Sequence, residues 1–168
     1  NIYIKIDEGK QYFFRDIDWI GNTKYETSVL QKKLGIKKGD VYNREKLDNR
    51  LTIDEDAVGN LYMDNGYLFF NVRIIEKNID NDSVDVELRM YEGPKARINK
   101  VIIKGNDRTN DNVIRRELYT VPGELFSKSD IIRSIRELAT LGHFDPEQIV
   151  PTPLPNPANG TVDIEYSL

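Results

Sequence analysis

The stretch Ile17-Asp18-Trp19-Ile20-Gly21-Asn22 decides the fold, because it returns 84 residues later as Val101-Ile102-Ile103-Lys104-Gly105-Asn106. In both copies a run rich in β-branched and aromatic residues stops at a Gly-Asn pair, which predicts a strand followed by a turn. Apolar positions that recur together with the same turn residues are typical of an internal repeat. We therefore predict that the 168-residue chain contains two tandem copies of one folding unit.

Further matches extend the repeat over most of the chain. Gly39-Asp40-Val41-Tyr42-Asn43 aligns with Gly123-Glu124-Leu125-Phe126-Ser127 at the same spacing of 84 residues. At Gly66, which aligns with Gly142, the spacing has shrunk to 76 residues. The first copy therefore carries about eight extra residues, which we place at 53–60, where they interrupt or lengthen the second helix.

Each copy has the pattern β-α-α-β-β. Thr23-x-x-Glu26 has the form of a capping box and predicts the start of the first helix, while Asn43 and Ser127 are predicted caps of the second helices. The predicted hairpins pair Leu68–Lys77 with Ser83–Tyr91, and Gln148–Pro151 with Thr161–Leu168. The predicted fold class is α+β, in which each copy forms a three-stranded mixed sheet covered on one face by two helices.

Composition excludes several classes of function. The net charge of −4 argues against nucleic acid as a partner. No apolar run is long enough for a membrane span within the segment, and the absence of cysteine removes disulfides, thiolate zinc sites and cysteine nucleophiles. The single histidine, His143, aligns with Tyr67 and is interpreted as a structural aromatic residue. We predict no enzyme, no catalytic residue, no cofactor and no metal; a small hydrolase fragment is the enzymatic alternative, and it would need a cleft holding acids with a shifted pKa.

The element order and the motifs Pro122-Gly123-Glu124-Leu125-Phe126 and Leu141-Gly142-His143-Phe144-Asp145 resemble the POTRA modules of BamA-type proteins, the outer-membrane protein assembly factors of the Omp85 family. Tyr62-Met63-Asp64-Asn65-Gly66-Tyr67 is similar to the Bacteroidetes version of that family. The resemblance covers nearly the whole chain. It implies one module at 13–94, a second at 95–168, and in residues 1–12 the last strand of a preceding module, so we expect a segment of a longer protein.

The resemblance also implies a cellular role. Such modules lie at the periplasmic face of the bacterial outer membrane, ahead of a C-terminal β-barrel that would be outside this segment. They contact unfolded outer-membrane protein precursors and the accessory lipoproteins of the assembly complex. A POTRA segment of a related Omp85-type transporter, serving two-partner secretion or translocation and assembly, is the alternative.

The hairpin strands suggest a binding mode. If the second hairpin strand pairs with the first strand of its unit, then Leu68-Phe69-Phe70-Asn71-Val72-Arg73-Ile74-Ile75 lies at the sheet edge, where its backbone can pair with an added strand by β-augmentation. In the second copy, the prolines of Pro151-Thr152-Pro153-Leu154-Pro155-Asn156-Pro157 remove donors from one edge. We therefore predict that the first unit accepts an added strand and that the second largely does not. The alternative, that Phe69 and Phe70 pack against the neighbouring unit, stays open.

The segment between the two copies has the composition of a restricted hinge. Glu92, Gly93, Pro94 and Lys95 combine one flexible and one stiff residue in a short connection. We expect this hinge to limit the two modules to a small set of orientations without fusing them.

Overall fold

The computed structural model describes residues 10–106 and 109–168. Within these ranges the chain forms six strands and five α-helices, with one π-helical stretch, Asn49–Ile53, between α2 and α3. The elements in chain order are β1 (Phe13–Ile20), α1 (Thr27–Leu34), α2 (Arg44–Asp48), α3 (Val58–Met63), β2 (Asn71–Asp80), β3 (Ser83–Tyr91), β4 (Arg97–Lys104), α4 (Asp111–Arg116), α5 (Lys128–Thr140), β5 (Val150–Asn156) and β6 (Thr161–Ser167). The strand predicted within residues 1–12 lies outside the described residues, apart from positions 10–12, which form no strand.

The chain divides into two compact units. Among the described residues, the first unit comprises those from 10 to 58 together with Asn71–Tyr91, and the second comprises Gly59–Phe70 and those from 92 to 106 and from 109 to 168. Each unit contains one three-stranded mixed sheet, in the order β1–β3–β2 or β4–β6–β5. The central strand is parallel to the first strand of its unit and antiparallel to its hairpin partner. The predicted fold class is therefore confirmed.

The core of the first unit follows from the alternation of β3. Every second residue of this strand is buried, and the intervening Asp85 and Arg89 are not. Helical residues spaced three or four apart supply the other wall of the core. The buried residues of the two layers are Val84, Val86, Leu88, Met90, Leu30, Leu34, Leu47 and Leu51.

The second unit repeats this plan with one polar exception. On the central strand β6, Tyr166 takes the position that Leu88 has on β3. Tyr166 is fully buried, so its hydroxyl needs a hydrogen-bond partner. That partner is the hydroxyl of Thr120, 3.0 Å away and also buried. The Ser134 hydroxyl of α5 accepts a hydrogen bond from the Tyr119 backbone N–H at 2.8 Å and so fixes the same loop.

The second helix of the first sequence copy is interrupted where the extra residues lie, as predicted. It runs through α2 and the π-helical stretch, breaks, and resumes in α3, whereas α5 is continuous over 13 residues. Arg50 holds the interruption in place. Its guanidinium donates to the Leu34 carbonyl at 3.0 Å, where α1 ends, and forms ion pairs with Asp54 at 3.2 Å and with Asp56.

The predicted start of α1 was wrong. The helix begins at Thr27, with Glu26 at the N-cap position and no side-chain cap, so Thr23 does not begin the helix. The residues before it form a turn instead, in which the Asn22 amide donates to the Tyr25 carbonyl at 3.1 Å and to the Thr27 hydroxyl at 3.2 Å. This local bonding competes with helix formation.

The two predicted caps of the second helices are confirmed. The Asn43 side chain accepts from the Lys46 N–H at 2.8 Å, and the Ser127 hydroxyl accepts from the Asp130 N–H at 3.1 Å. Both satisfy a backbone donor that has no partner within the helix.

The repeated Gly-Asn turn has a steric cause. Gly21 and Gly105 have φ values of +90° and +81°, a region that side chains disfavour. A Cβ on Gly21 would collide with the Met90 carbonyl oxygen, and one on Gly105 would collide with the Leu168 carbonyl oxygen. The turn therefore needs glycine where the chain leaves the first strand against the end of the central strand.

Candidate partner-binding edge of the first sheet

The predicted edge segment divides into two parts in the structure. Asn71–Ile75 lies in β2, but Leu68, Phe69 and Phe70 precede the strand and form a turn. In this turn the Leu68 N–H donates to the Gly66 carbonyl at 2.9 Å, and the Phe70 N–H donates to the Tyr67 carbonyl at 3.1 Å. The strand boundary predicted at Leu68 was therefore wrong.

The apolar side chains before β2 explain the turn. Leu68 and Phe69 belong to the second unit and pack against its core, and Phe70 stacks on Tyr62 with ring centroids 4.2 Å apart. The run looks like a strand in the sequence because it is apolar, but packing accounts for these side chains. The remaining candidate edge is Asn71–Ile75.

The β2 strand lies at the edge of its sheet. Its one sheet neighbour is β3, and within the described ranges no other strand pairs with it. Asn71–Ile75 contains no proline, so every residue in it keeps its backbone N–H. An edge of this kind offers an unpaired row of donors and acceptors.

The corresponding edge of the second sheet is different. Pro151, Pro153 and Pro155 of β5 stand opposite alternate residues of β6, and the strand remains paired. Because proline has no N–H, the donors of β5 toward β6 must come from the residues between the prolines. The outer edge therefore carries carbonyl acceptors and no N–H at the three proline positions.

The same register identifies the outward donors of β2. Pro151 stands opposite Tyr166 of β6, and Ile74 stands opposite Leu88 of β3. Leu88 has the same position in the first sheet as Tyr166 has in the second, so Ile74 is equivalent to Pro151. Ile74, and with it Val72, thus directs its N–H away from β3. These two residues are half-buried on the inner face, so their backbone is held in place while their edge is open.

The opposite edge of the first sheet is partly covered. At its start, the Phe14 N–H donates to the Asp40 carbonyl at 2.9 Å, and the Gly39 N–H donates to the Phe14 carbonyl at 2.7 Å. Phe13 also forms an isolated bridge with Val41. Residues 39–41 of the repeated Gly-Asp-Val-Tyr motif therefore cover the first residues of β1. This leaves β2 as the longer open edge of the first sheet.

Charged residues lie on the open face of the first sheet, next to β2. Glu87 of β3 is 1% exposed and forms ion pairs with Lys77 and with Arg89. The Lys77 hydrogen bond, followed by the Arg89 hydrogen bond, lowers the pKa of Glu87. Lys77 lies at a β-bulge, and the change of register it causes places Arg73 directly opposite Arg89.

Sequence reasoning singled out Arg73 but missed Arg89 and Tyr91. These residues and Asn71 line a shallow depression of about 300 Å³ on the open face. The alternation of β3 could have placed Arg89 and Tyr91 on this face. Their position opposite Arg73 and Asn71 depends on the bulge, which the sequence does not reveal.

The hinge residues have defined contacts within the second unit. Glu92 is buried and accepts a hydrogen bond from the Tyr62 hydroxyl at 3.1 Å. The Lys95 ammonium lies 5.2 Å from the centre of the Tyr67 ring. The role of Glu92, Gly93, Pro94 and Lys95 as a hinge stays a prediction.

The single histidine, His143, differs in burial from its predicted counterpart Tyr67. His143 is exposed whereas Tyr67 is buried. The two residues align in the sequence, but His143 does not pack in a core as Tyr67 does. Residues 10–106 and 109–168 contain no group of three His, Asp or Glu side chains that could share a metal ion. Over the same ranges, no helix combines the length and apolar character needed to cross a bilayer.

Comparison with known proteins identifies the class. The family model POTRA, described as surface antigen variable number repeat, matches residues 12–93 and 96–168. The chain therefore belongs to the POTRA family.

The relatives specify which members of that family it resembles. The chain is 30% identical over 158 residues to a putative outer membrane protein assembly factor of Treponema pallidum, covering 94% of this chain and 18% of that protein. It is 28% identical over 169 residues to the outer membrane protein assembly factor BamA of Neisseria meningitidis, covering 99% of this chain and 21% of that protein. The chain thus spans about a fifth of the length of these curated relatives. The predicted resemblance to BamA-type modules is confirmed, but the Bacteroidetes assignment is not borne out.

Solved structures agree on the fold. A crystal structure of POTRA modules 3–5 of Haemophilus influenzae BamA matches with a TM-score of 0.81 and 22% identity, covering 96% of this chain and 62% of that one. Haemophilus ducreyi BamA lacking POTRA domains 1–3 matches with a TM-score of 0.71 and 25% identity, covering 93% of this chain and 29% of that one. Both matches support the fold described above.

Proposed function

We propose that this chain is a periplasmic segment of an outer-membrane β-barrel assembly factor that binds unfolded precursors by β-augmentation at β2. The segment also serves as a scaffold for accessory lipoproteins and precedes a C-terminal β-barrel outside it. Its modules divide at 13–94 and 95–168, with Glu92–Lys95 as the hinge. It performs no catalysis and uses no cofactor; family membership supports this part of the proposal.

The observation that carries the proposal is the open edge of β2. Val72 and Ile74 direct backbone N–H groups outward, and no proline interrupts Asn71–Ile75. Backbone pairing needs little sequence specificity, so such an edge can serve many precursor strands. The names of the relatives, which are outer-membrane protein assembly factors, support precursors as the partner.

An NMR titration tests the proposal on the 168-residue chain. The probe is a synthetic peptide from a transmembrane strand of an outer-membrane β-barrel protein. We expect the amide shifts to change most at Asn71–Ile75 and least at Val150–Leu154. Larger changes at Val150–Leu154 would contradict the proposal, because that edge lacks donors at its prolines.

Photocrosslinking in cells tests the partner. A photoreactive residue at Arg73, in the full-length protein, should form adducts with precursors during export. Val150 is the matched control, because it holds the same position in the second sheet and is also exposed. Equal precursor adducts at both positions would refute a preference for the first edge.

A further inference from the structure

Two arginines of like charge face each other on the open face of the first sheet. Arg73 of β2 and Arg89 of β3 are paired directly in the antiparallel register and are both exposed. Side chains at such positions lie about 5 Å apart at Cβ, and like charges there repel. The pair gains stability when an anion lies beside it.

The first unit supplies little negative charge to this pair. Arg89 shares Glu87 with Lys77, so one carboxylate faces two cations. Arg73 forms no ion pair within the described part of the chain. The depression around the two arginines also contains the Asn71 amide and the exposed Tyr91 hydroxyl, both of which can donate to an anion.

A strand added to β2 would bring a side chain to this place. The residue opposite Arg73 on that strand would have its Cβ about 5 Å from that of Arg73 and would point to the same face. A carboxylate there can accept two parallel hydrogen bonds from a guanidinium, which a glutamine cannot match in strength. A lysine or arginine at this position would add a third cation.

We propose that Asn71, Arg73, Arg89 and Tyr91 form an anion seat that selects added strands carrying a glutamate or aspartate opposite Arg73. The proposal rests on the β-augmentation proposed above and adds a rule of selectivity to it. The backbone of β2 supplies the pairing, and the anion seat decides which segment and which register are preferred.

Two matched peptides test the seat on the 168-residue chain. Both have nine residues in which threonine and valine alternate, and they differ only in a central polar position that is glutamate or glutamine. At low salt the unmodified chain should bind the glutamate peptide about threefold more tightly, the scale of an exposed ion pair. In Arg73→Gln this preference should disappear while the affinity for the glutamine peptide stays unchanged. Arg133→Gln, which changes a cation of α5, should keep the preference.

The outcomes separate the seat from the edge. If both peptides shift the amides of Asn71–Ile75 with equal affinity, the anion seat is refuted and the edge stands. If neither peptide shifts them, β-augmentation at β2 itself fails. A glutamate preference that survives in Arg73→Gln, or that does not weaken in 0.5 M salt, would place the anion elsewhere and overturn the proposal.

Discussion

The strands β2 and β5 occupy the same place in two copies of one fold, but they offer different edges. Both are hairpin strands at the outside of a three-stranded sheet. Asn71–Ile75 retains every N–H, whereas Pro151, Pro153 and Pro155 leave the outer edge of β5 without donors at those positions. The comparison shows that the fold fixes where an edge lies, and that a few residues decide whether it can accept a strand.

A second difference between the copies concerns the second helix. In the second copy α5 is continuous, while in the first copy the helix is interrupted between Asp54 and Ala57, after the π-helical stretch Asn49–Ile53. The break is held by Arg50, which reaches the end of α1 and the acids of the extra residues. In the first copy Arg50 thus stabilises an interruption of the helix that the second copy does not have.

The largest expected effect is on the free energy of unfolding, and it tests the role of Arg50 in the interrupted helix. Arg50→Met removes the hydrogen bonds to the Leu34 carbonyl and to Asp54 and Asp56 while keeping an apolar stem. We expect the free energy of unfolding of the first unit to fall by about 2–3 kcal/mol. Trp19 is the single tryptophan and lies in the first unit, so its fluorescence during urea unfolding reports this change.

The control for this prediction is Arg136→Met. Arg136 is an exposed arginine of α5, and its replacement should change stability by less than about 0.5 kcal/mol. If Arg50→Met were equally neutral, the interruption of the helix would not depend on Arg50.

The second prediction concerns peptide affinity and uses a substitution that makes the edge of β2 like the edge of β5. Ile74→Pro places a proline where the second copy has Pro151, so it removes an outward donor without breaking a bond to β3. We expect peptide affinity at the first sheet to fall about tenfold, or about 1.4 kcal/mol. Isothermal titration calorimetry measures the change. Ile74→Val is the control for lost packing and should bind as the unmodified chain does; unchanged affinity in Ile74→Pro would show that this edge is not the binding site.

The register around Arg73 shows where prediction from the sequence stops. A two-residue turn closed by Asp80 and Ser83 would place Arg73 opposite Met90, but the bulge at Lys77 moves it opposite Arg89. The bulge is accompanied by the Lys77–Glu87 ion pair, which exists only in the folded sheet. The candidate edge was predictable because prolines act locally, but the charged neighbours of Arg73 were not.

The repeat and the sheet order were predictable for a related reason. Glycine at the ends of first strands and alternation in the central strands depend on backbone geometry and burial, which neighbouring residues reveal. The turn at Leu68–Phe70 was not predictable, because Leu68 and Phe69 are partly buried and pack against the core of the second unit, whose other residues lie far along the chain. Local patterns identify elements, and long-range packing corrects their ends.

The buried polar pair of the second unit offers a smaller test. Tyr166 takes the position of Leu88 and bonds Thr120 inside the core. Tyr166→Phe should lower the free energy of unfolding of the second unit by about 1 kcal/mol, because the Thr120 hydroxyl is left buried without this partner. Hydrogen exchange of β6 amides measures it. The double variant Tyr166→Phe with Thr120→Val should recover part of the loss; a further equal loss would mean that the hydrogen bond is not the cause.

The smallest effect concerns pH and again compares equivalent positions. In the first unit the Arg15 guanidinium donates to Asp85 at 2.7 Å, and in the second unit the Asn99 amide donates to Asp163 at 2.7 Å. Hydrogen bonding from Arg15 lowers the pKa of Asp85 to about 2. A carboxyl with a lowered pKa stabilises the folded state above the unfolded value of about 4, and this contribution is lost as the pH falls toward 2.

Arg15→Asn would replace the Arg15–Asp85 ion pair of the first unit by an asparagine–aspartate pair like Asn99–Asp163 in the second unit. We expect this variant to lose less stability than the unmodified chain between pH 5 and about pH 2, because Asp85 would then titrate at a more ordinary pKa. Urea unfolding followed by Trp19 fluorescence at the two pH values measures the difference. The effect should be small, since Arg15 is partly exposed and surface ion pairs contribute little. An equal loss in both proteins would show that Asp85 does not contribute to acid unfolding, and the two sheets would then differ in their edges and not in their ion pairs.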